Sequence, residues 1–170
     1  VLLTSSGNDM LDGGSGSNDR LVFDGLRIPF ASDHLVDDLA IESRIFEMPG
    51  RSYDFKADYM NIEALELGFG AGDQNIDVDL NGLPSSVTID TRGPSASDTV
   101  VIYGSAGDDA FVLAGSTITD GSTVISLAGV ENLVLDLSSG GSDTVTANQD
   151  SSGAARQIRL VGDTADDFIS

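Results

Sequence analysis

Cysteine is absent from the chain, which excludes a disulfide framework and thiolate metal sites. Cations are scarce. Lysine and arginine together number 8 among 170 residues, against 28 aspartates and glutamates, for a formal net charge of −20. A surface with that balance has no basic footprint to release counterions from a polyphosphate, so nucleic acid is excluded as a partner and anionic membrane is repelled. The same balance suits divalent cations or solubility at high salt. No apolar run approaches the roughly 20 residues of a membrane span, so no membrane insertion is expected. His34 is the only histidine, and no Ser/His/Asp or Cys/His set can be assembled around it. Val1-Leu2-Leu3-Thr4 carries no signal-peptide pattern. The pattern breaks off at Asp167-Phe168-Ile169-Ser170, so the segment reads as a piece of something longer, with any export signal outside it.

What is present is repetition. Hydrophobic residues make up 40% of the chain, enough for a packed core. Asn18-Asp19-Arg20-Leu21-Val22-Phe23 resembles Asp108-Asp109-Ala110-Phe111-Val112-Leu113 at an offset of 90, and Ser97-Asp98-Thr99-Val100 recurs literally 45 later as Ser142-Asp143-Thr144-Val145. Asn61-Ile62-Glu63-Ala64-Leu65-Glu66-Leu67 matches Gly129-Val130-Glu131-Asn132-Leu133-Val134-Leu135 at an offset of 68. These offsets share a unit of about 22.5 residues, the mark of a repeat architecture. Two apolar columns follow that unit: Leu67, Ile89, Phe111, Leu133 and Ile158, and Val78, Val100, Val124, Val145 and Phe168. Each member sits in a short alternating stretch, as strands with one face inward do. Gly- and Asp-rich clusters between them read as turns.

Two strands and two turns per unit make one coil. The expected fold is all-β: a right-handed parallel β-solenoid (a β-helix or β-roll) of about 22–23 residues per coil, spanning 1–170 as a single segment. Residues 26–60 are its irregular part. Ser32 or Asp33 could cap a short helix there, and the excess length equals one coil. A degenerate coil with a local bulge or helix is favoured over a protruding insertion.

The turns carry a family resemblance. Gly104-Ser105-Ala106-Gly107-Asp108-Asp109-Ala110-Phe111-Val112 is similar to the G-G-x-G-x-D-x-U-x nonapeptide of RTX, or haemolysin-type, calcium-binding proteins. Ser138-Ser139-Gly140-Gly141-Ser142-Asp143-Thr144-Val145 fits more loosely. Gly13-Gly14-Ser15-Gly16-Ser17-Asn18-Asp19 fits with one extra residue, and Gly162-Asp163-Thr164-Ala165-Asp166-Asp167 lacks the central glycine. The resemblance implies a parallel β-roll with Ca²⁺ at its corners, though that family has eighteen residues per coil and this chain has more. Stacked corner carboxylates are hard oxygen ligands suited to that ion. The candidate metal ligands are Asp9, Asp98, Asp143 and Asp167, in one corner column with Gln74, and Asp19 and Asp109 in another. The competing reading for each is an Asx turn, whose side chain bonds its own backbone.

No catalytic residue is assigned. The acid pairs Asp37-Asp38 and Asp108-Asp109 could serve glycoside hydrolysis in principle, but paired turn acids are more commonly solvated or metal-binding. Tyr53, Phe55 and Tyr59 share one face of a strand. Glu63 and Glu131 recur at matching positions, either to satisfy a backbone corner or to neighbour a calcium. The expectation is a non-catalytic repeat or stalk module of a large secreted or cell-surface adhesin-like protein, with calcium and neighbouring repeats of the same protein as its partners. The alternatives are a carbohydrate- or cell-surface-binding module, or an appendage of a secreted polysaccharide-active enzyme.

Overall fold

Alternation of apolar and polar residues, broken by Gly-Asp clusters, gives strands throughout. A computed structural model describes residues 8–25, 32–36, 40–48, 51–70, 72–91, 97–121, 123–148, 155, 157–164 and 167–170. They form strands β1 (Asn8–Asp12), β2 (Arg20–Gly25), β3 (Ser32–Val36), β4 (Ala40–Met48), β5 (Arg51–Met60), β6 (Ala64–Phe69), β7 (Gln74–Asp79) and β8 (Ser86–Asp90). There follow β9 (Thr99–Tyr103), β10 (Ala110–Ala114), β11 (Thr117–Asp120), β12 (Thr123–Ala128), β13 (Asn132–Asp136), β14 (Thr144–Ala147), β15 (Gln157–Val161) and β16 (Phe168–Ile169). The described residues contain no helix.

The strands form two eight-stranded sheets. The first runs β1-β5-β4-β3-β7-β9-β13-β15 and the second β16-β14-β10-β11-β12-β8-β6-β2. From β5 to β10, and again from β12 to β16, the chain changes sheet at every corner. A parallel pair needs a crossover connection, and here the crossover is the intervening strand of the other sheet. Side chains at alternate positions then meet between the sheets. Leu65, Leu67, Ile76, Val78, Val87, Ile89, Val100, Ile102, Phe111, Leu113, Leu133 and Leu135 are buried in one apolar cluster. At one end Phe69 meets Phe23 with ring centroids 5.7 Å apart, a tilted arrangement that aromatic quadrupoles favour.

Each sheet contains one antiparallel meander among its parallel strands. β3–β4–β5 lies in the first sheet and β10–β11–β12 in the second. The segment expected to be a degenerate coil or helix is thus largely the first meander, and Ser32–Val36 is a strand rather than a capped helix. The helical reading rested on Ser32 or Asp33 as a cap. Instead Val36 and Ile41 are cross-strand partners, both buried, while Leu35 is exposed. The second meander was not expected. Its two hairpins turn at Gly115 (φ 60°) and Gly121 (φ 48°); glycine at the first central position is what a two-residue II′ hairpin requires.

The meanders also correct the apolar columns. Leu67 does pair with Ile89, but Ile89 then pairs with Leu127. Phe111 faces Val145 across β10 and β14, separated from β8 by β11 and β12. Leu133 lies in the other sheet, between Val100 and Ile158. Val124 and Phe168 are exposed rather than inward. Of the aromatic strip, Tyr59 is in the core, while the side chains of Tyr53 and Phe55 lie outside the described residues. A single 22-residue stack fails because each meander adds strands to one sheet while the other advances by one.

Phe111 is 1% exposed and its neighbour Val112 is 38% exposed. Phe111→Ala is expected to cost about 3–5 kcal/mol through the cavity it leaves. Val112→Ala should cost no more than about 0.5 kcal/mol. Urea unfolding of the two variants measures the difference, and equal losses would place Phe111 outside the core.

Candidate functional site

The amide just before a parallel strand lies outside the strand ladder and still needs an acceptor. At the entries of β2, β7, β9, β10 and β14 the acceptor is a carboxylate from the next turn, whereas the Glu63 N–H before β6 donates to the Asp19 carbonyl. In the first sheet the Gln74 N–H donates to Asp98 Oδ1 at 3.0 Å and the Asp98 N–H donates to Glu131 Oε2 at 3.1 Å. In the second sheet the Asp19 N–H donates to Glu63 Oε2 at 2.6 Å, the Asp109 N–H to Asp143 Oδ1 at 2.9 Å, and the Asp143 N–H to Asp167 Oδ1 at 3.2 Å. The carbonyls of the same corners accept in turn from the next strand: Asp98 from Asn132, Asp109 from Thr144, and Asp143 from Phe168.

Two corners are stapled in both directions. While Gln74 donates to Asp98, the Ser97 N–H donates back to Asp73 Oδ1 at 2.9 Å. While Asp109 donates to Asp143, the Ser142 N–H donates back to Asp108 Oδ1 at 2.8 Å. This gives the literal Ser-Asp-Thr-Val repeat its meaning. Ser97-Asp98 and Ser142-Asp143 do the same work in different sheets, so the repeated unit is the corner with its strand. It also separates the Asp108-Asp109 pair: Asp109 is buried and Asp108 is exposed.

Glycine makes room for the inward carboxylates. A Cβ on Gly104, Gly16 or Gly162 would run into the carboxyl groups of Asp109, Asp19 and Asp167 respectively. Asp109 is further held by the Ser105 N–H and hydroxyl, both at 2.8 Å. Burial pushes the carboxyls of Asp98 and Asp143 above the usual carboxylate range. For Asp98 the charges of Glu131 and Asp73 add to the effect; for Asp143 those of Asp109, Asp167 and Asp163 do. Buried oxygens without a hydrogen-bond partner remain at Asp19 Oδ2 and Asp143 Oδ2.

The six candidate ligands therefore divide. Asp98 belongs with Gln74 in the first sheet; Asp109, Asp143 and Asp167 form one file in the second, and Asp19 with Glu63 begins that sheet's other end. Asp9 lies within β1 opposite Ala57, and its side chain is outside the described residues. Glu63 and Glu131 satisfy a backbone corner, the first of the two roles open to them. Asx turns do occur, but at strand exits. Asp12, Asp79 and Asp136 accept from the amides of Gly14, Asn81 and Ser138, two residues on. Asp-x-Gly, Asp-x-Asn and Asp-x-Ser spacings are their visible signal. The bonds from Asn61 and Gly14 hold the Asp12 carboxyl below its usual value.

Among the described residues no three acidic or histidine side chains converge to hold a metal ion, and the Oδ1 atoms of Asp98, Asp143 and Asp167 are engaged by backbone amides. No protein-family model, curated protein or solved structure matches the chain.

Removing an acceptor leaves a partly buried amide unpaired, which costs about 1–3 kcal/mol. Glu131→Ala is expected to lose that much stability, whereas Glu131→Gln keeps an acceptor oxygen and should lose less. Amide exchange at Asp98 should accelerate in the alanine variant alone. Equal exchange in both variants would mean that the carboxylate does not hold this corner.

Proposed function

We propose that this chain is a non-catalytic stalk segment of a large secreted or cell-surface adhesin-like protein, built as a right-handed parallel solenoid with two meanders spliced into it. The observation that supports this reading is the series of carboxylate–amide staples. They fasten one turn to the next at the corners, beside the backbone bonds that the corner carbonyls accept. Their spacing supports the solenoid as well. Successive corners are 24 residues apart from Gln74 to Asp98 and from Asp143 to Asp167, close to the sequence unit. The step is 34 from Asp109 to Asp143 and 44 from Asp19 to Glu63, where meander strands intervene. Neighbouring repeats of the same protein are the partners this reading implies.

A stalk resists extension. Pulled from its ends between marker domains in a force microscope, the segment is expected to yield in one cooperative event. Glu131→Ala should lower the force. Turns that peel away one by one at low force would sink the reading, and specific hits on a glycan array would favour the carbohydrate-binding alternative.

Calcium stays within the proposal at one corner, because Asp19 Oδ2 is enclosed without a partner behind the best glycine run, on a chain of net charge −20. A cation that binds only the folded state stabilises it by about 2.7 kcal/mol at a hundredfold excess over Kd. Melting in millimolar calcium is then expected several degrees above melting in EDTA, with Asp19→Asn removing the difference. Coincident melts would take the metal out of the proposal and leave the staples.

A further inference from the structure

The two ends of the stack differ. β1 and β2 are the outermost strands at one end, where Leu21 and Phe23 point inward and are 1% and 4% exposed. β15 and β16 are the outermost strands at the other. There Ile158 lies beside buried Leu133, and Ile169 beside buried Val145. Both therefore point inward, yet they are 38% and 62% exposed. Leu160, beside Leu135, is only partly buried. A cavity of about 30 Å³ lies under this end among Leu137, Val145, Leu160 and Ile169.

The backbone is open at the same place. In a parallel pair the N–H and C=O of one residue point to the same side, and successive residues alternate. Phe168 and Ser170 donate toward β14, Gln157 donates to Glu131 before β13, and the Val161 carbonyl accepts from Leu137. Ile158, Leu160, Asp167 and Ile169 thus turn their backbone groups to the free edge. The Asp167 amide comes next in the file after Asp109 and Asp143, each of which donates to a carboxylate one turn on. It has no acceptor among the described residues.

We infer that the β15–β16 end is a docking surface for one further parallel turn, whose strand over β16 starts with an acidic residue accepting from the Asp167 amide and carries an apolar residue two positions later to cover Ile169. The inference rests on the stalk reading and names the partner that reading needs: a turn of the kind seen at Asp143-Thr144-Val145 and Asp167-Phe168-Ile169. An edge kept free is commonly guarded by inward charges or proline. Here the inward positions are Ile158, Leu160 and Ile169, and neither strand contains proline. A second copy stacked head to tail offers no matching apolar end, because Leu21 and Phe23 are already covered.

The chain's own last turn is the probe. Val145 faces Ile169 across β14 and β16, a step of 24 residues, so a copy of residues 147–170 appended after Ser170 continues the register. Amide exchange at Ile158, Leu160, Asp167 and Ile169, fast in the unextended chain, is expected to slow about tenfold in the extended one. A copy bearing Asp167→Ala should leave the original Asp167 amide fast while Ile158 and Ile169 slow. A copy bearing Ile158→Ser, Leu160→Ser and Ile169→Ser should protect none of the four. Fast exchange at all four in the extended chain would overturn the inference, as would equal protection by the serine copy. Should no extension fold, the unextended chain still decides: protection already present at those amides, or an end-to-end dimer in sedimentation, would overturn it. Fast exchange confined to β15 and β16 of the extended chain would leave the stack standing, whereas fast exchange in β9 and β13 as well would remove the stalk reading itself.

Discussion

At a corner of a parallel stack an amide can lie beyond the reach of the ladder, and leaving it unpaired where it is partly buried costs about as much as a lost hydrogen bond. This chain meets the requirement with side chains of its own. Asp98, Glu131, Glu63, Asp143 and Asp167 each accept from the corner of the preceding turn. The rest follows. Corners must be glycine-rich, because the carboxylates pack where a Cβ would stand. The residue after the carboxylate must begin a strand, and the one after that must be apolar, because alternation carries it into the core. The acidic excess is in part a consequence of this device, which sets negative charges into corners with few cations to balance them.

The two meanders are complementary. β3–β4–β5 widens the first sheet and β10–β11–β12 the second, and each sheet ends with eight strands. One meander alone would leave an apolar face uncovered opposite the added strands. Together they keep the sheets matched. Ile118 and Ile125, added by the second meander, are buried in the same cluster as Val36 and Ile41 from the first.

Much of this was legible in the residues. Alternation marked strands, and the unit of about 22.5 residues lies near the 24-residue steps from Gln74 to Asp98 and from Asp143 to Asp167, but not the steps of 33 to 44 residues where meander strands intervene. The Gly-Asp clusters marked corners where carboxylates gather. The rung of each strand was not legible, because the same corner motif serves both sheets: Ser97-Asp98 enters β9 in one, and Ser142-Asp143 enters β14 in the other. A period that counts motifs cannot tell a half-turn from a whole one. Ser32–Val36 was ambiguous for another reason, since Leu35, Val36, Ala40 and Ile41 suit a helical face as well as a hairpin. The second meander did leave a sign in Gly115-Ser116 and Gly121-Ser122 around Thr117-Ile118-Thr119-Asp120, a hairpin signal.

A stack of parallel strands is dominated by pairings between distant residues, and the entropy of closing such loops grows with their length. The stapled corners of this chain lie 24 to 44 residues apart. The pair Ala114–Thr117 encloses only two residues, and so does Asp120–Thr123. Hairpins close in about 1–10 μs, long before segments that far apart can be brought into register. The meanders therefore supply early, local elements that a parallel stack otherwise lacks, and β10–β11–β12 stands in the middle of its sheet, with β8 ready to add on one side and β14 on the other.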